Sequence, residues 1–404
     1  MSEDHVFPAA GRDALSASED MLGEEAVAKV PPPLVAVVLA LRRFPDGIAA
    51  ASLRVAGLSV LERSLFLARD MGAQRAIVVA TALAAEHLRP ALWRTDLRLE
   101  VTFADASTAA TSKALPENAE VLIVSADAVI GHQAARAVKE SPRGQATVFL
   151  SEGTPGKSGI PLPHGGSWLG VARVPRDLAV RLLLALQADP EEGAVKVLSE
   201  ALSQGKATSV TVEGVASFFM RAPADVPLAR RALFRALGKK QDGWVSRTLN
   251  RPISTVISRL LVETSVTPNL ISVGVFFLRL GACALIAWGG PYLHPLIGFT
   301  LLQLASILDG CDGELARVRY QSSVFGARLD TALDHTATLV LNVALAANIV
   351  RNGGSILFAV MAGITVVGGI IAMAAMFAYM VKIGSGSGYD VPGLPPLADR
   401  KSVV

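Results

Sequence analysis

Residues 270–288 read LISVGVFFLRLGACALIAW, an apolar stretch interrupted by one charged residue, Arg279. A transmembrane helix needs about 17–25 predominantly apolar residues, so this stretch alone predicts a membrane span. Three further apolar stretches follow it, at 293–308, 336–350 and 356–381. The last is long enough by itself, and the middle two reach span length if their helices extend into the polar segment between them. We therefore predict an all-α bundle of four spans over 266–383, with a large soluble helical core as the alternative.

The chain before residue 241 has a different pattern, in which short apolar runs alternate with amphipathic segments. Strands are predicted at 34–41, 76–80, 101–103, 120–125 and 145–150. Helices are predicted at 59–71 and 132–140. This alternation predicts an α/β domain over 34–240 built on a mainly parallel, doubly wound sheet. Ligands bind such sheets at the carboxyl ends of the strands, where Asp127 follows the run 120–125. The simpler alternative for Asp127 is a turn or helix-capping residue.

Composition excludes several classes of protein. The chain has 404 residues, of which 51% are hydrophobic and 18% charged, which excludes a disordered chain. Cys283 and Cys311 are its two cysteines, which excludes a disulfide framework and a cysteine-based zinc site. The net charge of +3 is too weak to indicate nucleic-acid binding, so no nucleic-acid partner is expected.

Charge outside the spans predicts the orientation of the chain. Residues 1–33 are polar and acidic, which predicts a flexible tail. They lack the basic start and apolar run of a secretory signal, so we expect the soluble domain to stay in the cytoplasm. The Gly- and Pro-rich residues 384–404 predict a second flexible tail. Lys and Arg concentrate before the first span, between the second and third, and after the fourth, and positive charge favours the cytoplasmic side. We expect a multi-pass protein of the inner (cytoplasmic) membrane whose soluble domain and active site are cytoplasmic.

Residues 241–265 connect the two halves. Apolar residues recur there at near-helical spacing, at Val245, Leu249, Ile253, Ile257 and Leu260. Basic residues lie between them, at Arg247, Arg251 and Arg259. The pattern predicts an amphipathic helix in the membrane interface, and a linker helix that packs on the protein is compatible with it. Pro252 predicts a bend or a helix start.

Between the second and third spans, residues 309–334 read DGCDGELARVRYQSSVFGARLDTALD. Asp309 and Asp312 are three residues apart, so they share one helix face, and Asp330 and Asp334, four apart, share another. Antiparallel packing of the two helices brings all four carboxylates to one depth, where they would repel each other if unpaired. Oxygen ligands on a rigid frame suit one or two hard divalent cations, Mg²⁺ or Mn²⁺, which also bind diphosphates. A solvated acidic loop is the simpler alternative.

This segment resembles the signature of the CDP-alcohol phosphotransferase family, DGxxAR-x8-GxxxDxxxD, with a further aspartate three residues before it. The fixed positions are filled by Asp312, Gly313, Ala316, Arg317, Gly326, Asp330 and Asp334. The resemblance implies metal ions, two in number, bound by Asp309, Asp312, Asp330 and Asp334. It implies Asp334 as the catalytic general base as well as a ligand. It implies a CDP site formed by Asp312, Gly313, Ala316, Arg317 and Gly326. Residues 267–269 (TPN) also resemble the family's entry to the first span.

The chemistry agrees with this resemblance. An acceptor hydroxyl is a poor nucleophile, a carboxylate within reach can take its proton, and metal ions offset the charge of the diphosphate as CMP leaves. We therefore predict a metal-dependent membrane enzyme that moves a phosphoalcohol from a CDP-alcohol to an acceptor hydroxyl. Its alternatives are a catalytically impaired nucleotide-binding membrane protein, or a phospholipid synthase of the phosphatidylglycerol or phosphatidylinositol-phosphate type.

The order of the two halves, with residues 242–255 (DGWVSRTLNRPIST) and 306–317 (SILDGCDGELAR), resembles one subfamily. Its best-known members are bifunctional proteins, each of which combines an inositol-1-phosphate cytidylyltransferase with a di-myo-inositol-phosphate-phosphate synthase. The resemblance implies a CDP-inositol-like donor. It implies an acceptor that is an alcohol, an inositol phosphate or a membrane lipid. The family forms dimers, so a homodimer is also implied.

The chain departs from this subfamily in its soluble half. A glycine-rich loop whose amides hold the triphosphate is expected after the first strand, but residues 42–47 read RRFPDG. The lysine expected soon after is missing, since residues 51–53 read ASL. Asp127 stands where the first metal-binding aspartate is expected, but residues 218–222 (FFMRA), where the second acid is expected, contain no carboxylate. We predict a cytidylyltransferase-like domain that kept the fold and lost the reaction.

Two features of the membrane half are open. The family typically has six spans and four are predicted here, so the chain is truncated, is completed by a dimer partner, or is inactive. Arg279 lies inside the first span, where a charge is costly unless it faces a wet cavity. It could bind the phosphate of the acceptor, extend to the membrane surface, or pair with a carboxylate.

Overall fold

The computed structural model describes residues 32–92, 97–111, 115–151, 159–163, 165–189, 192–212, 217–235, 237, 244, 246–290 and 292–383. The predicted tail at 384–404 lies outside the described residues, as does the tail at 1–33 except for its last two residues. Most of 238–245, at the start of the predicted linker, also lies outside them.

The strands of the soluble half are β1 Leu34–Leu39, β2 Arg54–Val55, β3 Leu58–Ser59, β4 Arg75–Val79, β5 Glu100–Ala104, β6 Glu120–Ser125, β7 Ala128–Ile130, β8 Thr147–Ser151, β9 Ile160–Pro161, β10 Ser167–Pro175, β11 Thr208–Val212 and β12 Ser217–Phe219. The helices of this half are α1 Val60–Asp70, α2 Ala82–Leu88, α3 Ala106–Thr111, α4 His132–Glu140, α5 Arg176–Ala188, α6 Glu192–Ser203 and α7 Val226–Arg235.

One large sheet organises the soluble half. Its strand order is β11-β8-β10-β6-β1-β4-β5, with β9 paired to β10. The central strand β1 runs parallel to both neighbours, with Val37 opposite Ile77 on one side and Ile123 on the other. Helix α1 covers one face through Leu61 and Leu65, and α5 covers the other through Leu182. The predicted doubly wound sheet is therefore confirmed, because apolar helices cover both of its faces.

One strand runs against the others. β10 is antiparallel to both β6 and β8, and its register shifts between Trp168 and Ala172. Gly170 lies at this irregularity with φ +86°, a backbone conformation that glycine adopts without strain. The sequence did not predict β10, because its apolar run is broken by Gly170 and by the buried Arg173.

Among its described residues, the second half contains a π-helical segment, Ser246–Asn250, and five α-helices: α8 Arg251–Leu261, α9 Pro268–Trp288, α10 Leu293–Val318, α11 Val324–Arg351 and α12 Leu357–Ile383. The last four are long and apolar enough to cross a membrane. This supports the predicted four spans, and the fold class of an α/β domain fused to an all-α helical bundle is confirmed. α10 and α11 both extend into the polar segment 309–334, as their short apolar stretches required.

Two of the four candidate membrane helices begin at side-chain caps. The Thr267 hydroxyl accepts the Leu270 N–H before α9, and the Ser323 hydroxyl accepts the Gly326 N–H before α11. α9 packs against both α10 and α11, and α12 packs against α11. The end of α10 and the start of α11, which are predicted to face the cytoplasm, therefore lie beside the start of α9.

In the described part of the linker, the π-helical segment Ser246–Asn250 leads into α8, which has Pro252 in its first turn. Its two buried serines, Ser254 and Ser258, face α10, and it exposes Val256 and Leu260. The helix therefore turns an apolar face away from the rest of the described chain. This arrangement suits the predicted interface helix, whose apolar side would lie in the bilayer boundary.

Candidate active site

Three of the four predicted metal-binding aspartates lie together. Asp309 on α10 and Asp330 and Asp334 on α11 each offer one carboxylate oxygen, and these oxygens lie within 4.8 Å of one another. All three side chains are half-buried. Oxygen ligands bind Mg²⁺ or Ca²⁺ at about 2.0–2.6 Å, so two ligands of one ion lie at most about 5 Å apart. The three carboxylates therefore fit a divalent cation.

The fourth aspartate is held by hydrogen bonds to α9 and to its own helix. Asp312 accepts a hydrogen bond from the Ser272 hydroxyl on α9 at 2.5 Å and another from the Gly313 N–H. Its carboxylate is 9% exposed, so these bonds replace much of its contact with water. Ser272 was not predicted, because a serine in an apolar stretch does not reveal its partner on another helix.

Arg279 contacts the carboxylates. Its guanidinium donates to Asp309 at 3.1 Å and also to Asp334. Of the alternatives open from the sequence, the structure shows the pairing with carboxylates. A cation among three close acids offsets their mutual repulsion, so Arg279 stabilises the group.

Two glycines leave room beside the aspartates. A Cβ on Gly313 would lie 3.3 Å from Arg317 Nη1, so glycine lets the Arg317 guanidinium lie against this turn of α10. A Cβ on Gly326 would lie 3.0 Å from Asn269 Oδ1, so glycine lets the first turn of α11 approach the start of α9. Ala316 is half-buried on the same stretch of α10. The five residues predicted to bind CDP thus lie on two neighbouring helix segments, and their binding role stays a prediction.

A buried acid behind this group was not predicted. Glu314 is 1% exposed and accepts from Arg251 at 2.9 Å and from the Ser254 hydroxyl at 3.0 Å, both on α8. Five residues separate Glu314 from Asp309, which at 3.6 residues per turn places them on different faces of α10. Arg251 therefore pairs with the protein, whereas the sequence placed it on the basic side of an interface helix.

The candidate site of the soluble domain contains an ion pair between Arg42 and Asp127. Asp127 lies in the turn between β6 and β7, where it accepts from Arg42 Nε at 2.8 Å and from the Ser125 hydroxyl. The Met220 N–H donates to the Asp127 carbonyl at 2.8 Å, because β12 pairs with β7. The segment 217–220 thus lies beside Asp127, as expected for the second acid, but it carries no carboxylate.

The first carboxylate after the segment 217–220 has another role. Asp225 is 5% exposed and accepts the N–H groups of Arg221 and Ala222 at 2.9 and 3.0 Å. These bonds cap the short turn that precedes α7, so Asp225 is engaged in local structure.

Comparison with known proteins gives its family match over the part of the chain that carries the aspartate group. Residues 265–389 match the family model described as CDP-alcohol phosphatidyltransferase. A protein of Thermococcus kodakarensis named bifunctional IPC transferase and DIPP synthase is 43% identical over 138 residues, which are 34% of this chain and 31% of that protein. A protein of the same name from Aquifex aeolicus is 38% identical over 150 residues, 37% of this chain and 34% of that protein. The matches thus span about a third of the length of these curated relatives.

Among solved structures, the inositol-1-phosphate CTP transferase from T. maritima aligns with 52% of this chain and 97% of its own, at 13% identity and a TM-score of 0.37. The family match is the more specific result, because it covers the helices α9 to α12 and all the aspartates of the signature. Residues 265–389 therefore resemble a domain of the CDP-alcohol phosphatidyltransferase family.

Proposed function

We propose that the chain is a membrane CDP-alcohol phosphotransferase, which transfers a phosphoalcohol from a CDP-alcohol to an acceptor hydroxyl and releases CMP. The observation that carries this proposal is the group of Asp309, Asp330 and Asp334, with one oxygen of each within 4.8 Å of the others. A bound Mg²⁺ or Mn²⁺ would neutralise the diphosphate and the charge that develops on it.

The residues of the chain have distinct proposed roles. Asp309, Asp312, Asp330 and Asp334 would hold the cations. Arg317, beside Gly313, would bind a phosphate of the donor, because a guanidinium presents several donors to phosphate oxygens. Of the two aspartates that pair with Arg279, Asp334 is the more exposed, with 44% of its side chain accessible against 29% for Asp309. It is therefore better placed than Asp309 to take the proton of an acceptor hydroxyl.

The substrates are proposed from the relatives. The name of these relatives combines an IPC transferase with a DIPP synthase, which favours a CDP-inositol-like donor and an inositol-phosphate acceptor. A lipid acceptor is the second candidate, since the site lies at the end of membrane helices. A homodimer stays a prediction from the family resemblance.

The experiment measures CMP release from CDP-inositol with Mg²⁺ by the full chain in membranes. We expect Asp334→Asn to lower the rate by about a hundredfold or more, since general acid–base catalysis contributes about a hundredfold to ten-thousandfold. Asp177→Asn is the matched control, because the Asp177 side chain is 94% exposed on the soluble domain, and it should leave the rate unchanged. If CMP release does not depend on Asp334, the chain is a nucleotide-binding membrane protein without this activity. Mass analysis of products from a panel of CDP-alcohols and acceptors then identifies the substrates.

We further propose that the soluble domain has lost cytidylyl transfer. Arg42 forms an ion pair with the Asp127 carboxylate, and the adjacent segment 217–220 contains no second acid. A nucleotidyl transfer that needs two carboxylates on a metal ion lacks one of them here. The test supplies CTP and inositol-1-phosphate to the Asp334→Asn variant, in which CDP-inositol would accumulate. Its accumulation, abolished by Asp127→Asn, would contradict the loss.

We propose that the soluble domain and the aspartate group face the cytoplasm. The support is the distribution of Lys and Arg around the spans, which places positive charge on that side. Proteolysis of the soluble domain in inverted inner-membrane vesicles, and its protection in intact spheroplasts, is the expected result. The reverse pattern would contradict this orientation.

A further inference from the structure

The connection between α10 and α11 is held by a side chain of the soluble domain. Arg63 on α1 is 3% exposed, and its guanidinium donates to the carbonyls of Val55 at 2.9 Å and Ala56 at 3.0 Å. It also donates to the Val318 carbonyl at 2.8 Å. Val318 is the last residue of α10. One buried arginine therefore joins the soluble domain to the end of the helix that carries Asp309 and Asp312.

The next residue ties the same connection to the linker. Arg319 is 7% exposed and donates to four carbonyls between the end of α8 and the start of α9. The acceptors are Leu261 at 2.6 Å, Val262 at 3.2 Å, Thr264 at 2.6 Å and Val266 at 2.5 Å. The last carbonyls of a helix have no partner within it, so Arg319 completes the end of α8.

Tyr320 then enters the soluble domain. Its ring stacks on Phe66 of α1, with centroids 5.6 Å apart and an angle of 11° between the planes. Its φ of +54° is rare for a bulky residue and persists where the surroundings fix it. The Gln321 N–H donates to the Ala316 carbonyl at 2.8 Å, which ends α10 in a Schellman-type turn. The stacked ring therefore sets the direction in which the chain leaves α10.

An apolar core closes the contact. Val55 and Val60 of the soluble domain pack in one cluster with Val262 of the linker and Val318 of α10. Gly57 approaches so closely that a Cβ there would lie 2.8 Å from the Val262 carbonyl oxygen. We name this contact the domain junction and define it by Val55–Val60, Arg63, Phe66, Leu261–Val266 and Val318–Gln321.

We propose that the soluble domain positions the active site of the membrane domain through the domain junction, whatever chemistry the soluble domain itself performs. Arg63, Arg319 and Tyr320 act as positioning residues, because they fix the end of α10 and the approach to α11, which carry the aspartates. This role gives the soluble domain a function that needs neither a second metal-binding acid nor a free Asp127. Only the kinetic part of its test rests on the proposed function.

The experiment measures hydrogen exchange of the full chain in lipid nanodiscs, together with CMP release. Arg63→Met leaves three main-chain carbonyls without this donor in a buried place. We expect the amides of 319–321 to exchange about tenfold faster or more, while those of β1 and β6 stay protected. We expect kcat for CMP release to fall by about tenfold, with a smaller change in KM, because the aspartates are displaced rather than removed.

Two further variants make the result decisive. Arg75→Met is the matched control, since Arg75 pairs with Glu100 on the exposed edge of the sheet and should change neither readout. If Arg63→Met also exposes the amides of β1, the soluble domain itself has been damaged, and Tyr320→Ala is used instead. This variant removes the ring that stacks on Phe66 but changes no residue of the soluble domain. The proposal would be overturned by a variant in which the amides of β1 and β6 stay protected and both the exchange rate at 319–321 and kcat stay within about twofold of wild type. Faster exchange in a chain that never releases CMP would contradict only the proposed function.

Discussion

Arg279 on α9 pairs with Asp334 on α11, and the same guanidinium reaches Asp309 on α10 at 3.1 Å. One side chain thus joins the three helices that surround the proposed metal site. Its charge lies among the oxygens that a divalent cation would need. The guanidinium and the cation therefore compete for the same carboxylates.

The competition predicts the effect of Arg279→Met. Without the guanidinium, the close carboxylates repel each other more strongly, so the metal-free protein should unfold at a lower temperature. Each bound cation then relieves more repulsion, so we expect Mn²⁺ affinity to rise by about tenfold, or about 1.4 kcal/mol. Electron paramagnetic resonance titration of Mn²⁺ and thermal unfolding with and without chelator measure the two effects.

Arg351→Met controls for the loss of any arginine from the bundle, because Arg351 donates to the Ala287 carbonyl at the other end of α11. It should leave Mn²⁺ affinity unchanged. A weaker Mn²⁺ affinity in Arg279→Met than in wild type would show that Arg279 supports the metal site rather than competing for it.

The buried acid Glu314 gives a second prediction, on stability. Glu314→Ala removes the carboxylate that Arg251 and Ser254 bond, and breaking a buried pair from one side costs about 3–5 kcal/mol. Thermal unfolding in detergent measures the loss. Glu200→Ala is the control, because its pair with Arg181 is 43% exposed on the Glu200 side and is worth at most about 1 kcal/mol. Equal losses in the two variants would contradict a structural role for Glu314.

The sequence predicted much of the fold, because the features that carry it are periodic. The apolar run of β6, at 120–125, and the amphipathic pattern of α1 each repeat with the period of their element. The spans were predictable for the same reason, since bilayer thickness sets their length. β10 was missed because Arg173 and Gly170 break its apolar run, and the cost of burying Arg173 is offset by carbonyls of distant residues, Val138 and Ser141.

The candidate site was predictable only where its residues share a helix. The spacings of Asp309 and Asp312, and of Asp330 and Asp334, follow from the helical repeat. Contacts between helices leave no such trace in the sequence, so the bonds of Ser272 to Asp312 and of Arg279 to Asp334 required the structure. The domain junction was missed for the same reason, since Arg63 and Val318 are 255 residues apart in the chain.

Two glycines with similar backbones give a third prediction. Gly57 and Gly47 have φ of +80° and +84°, but a Cβ would lie 2.8 Å from the Val262 carbonyl oxygen at Gly57 and would meet nothing within 4 Å at Gly47. Gly47→Ala should cost about 1–2 kcal/mol, from the left-handed backbone alone. Gly57→Ala adds a clash with main chain, so it should cost more and should also lower CMP release. If thermal unfolding shows the same loss of stability in both variants, the domain junction can shift to accept the Cβ at Gly57, which would contradict the prediction.

The fourth prediction concerns the ionisation of Tyr320. Burial raises the pKa of the Tyr320 hydroxyl above its usual value of 10, although the nearby Arg63 lowers it in part. Below pH 10 the phenol is protonated in both the folded and the unfolded chain, so its contribution to stability is fully present. As the pH rises from 10 towards the folded pKa, the unfolded chain loses its proton first, and the stability of the folded state falls.

Tyr320→Phe keeps the ring stacked on Phe66 and removes the ionisable group, so its stability should not show this fall. The difference in tyrosinate absorbance between wild type and Tyr320→Phe should report a phenol that titrates above pH 10. Unfolding by denaturant at pH 9 and at about pH 10.5 measures the loss of stability, which should be larger in wild type. A phenol that titrates below pH 10 would mean that the ring is exposed to water and that the junction does not bury it.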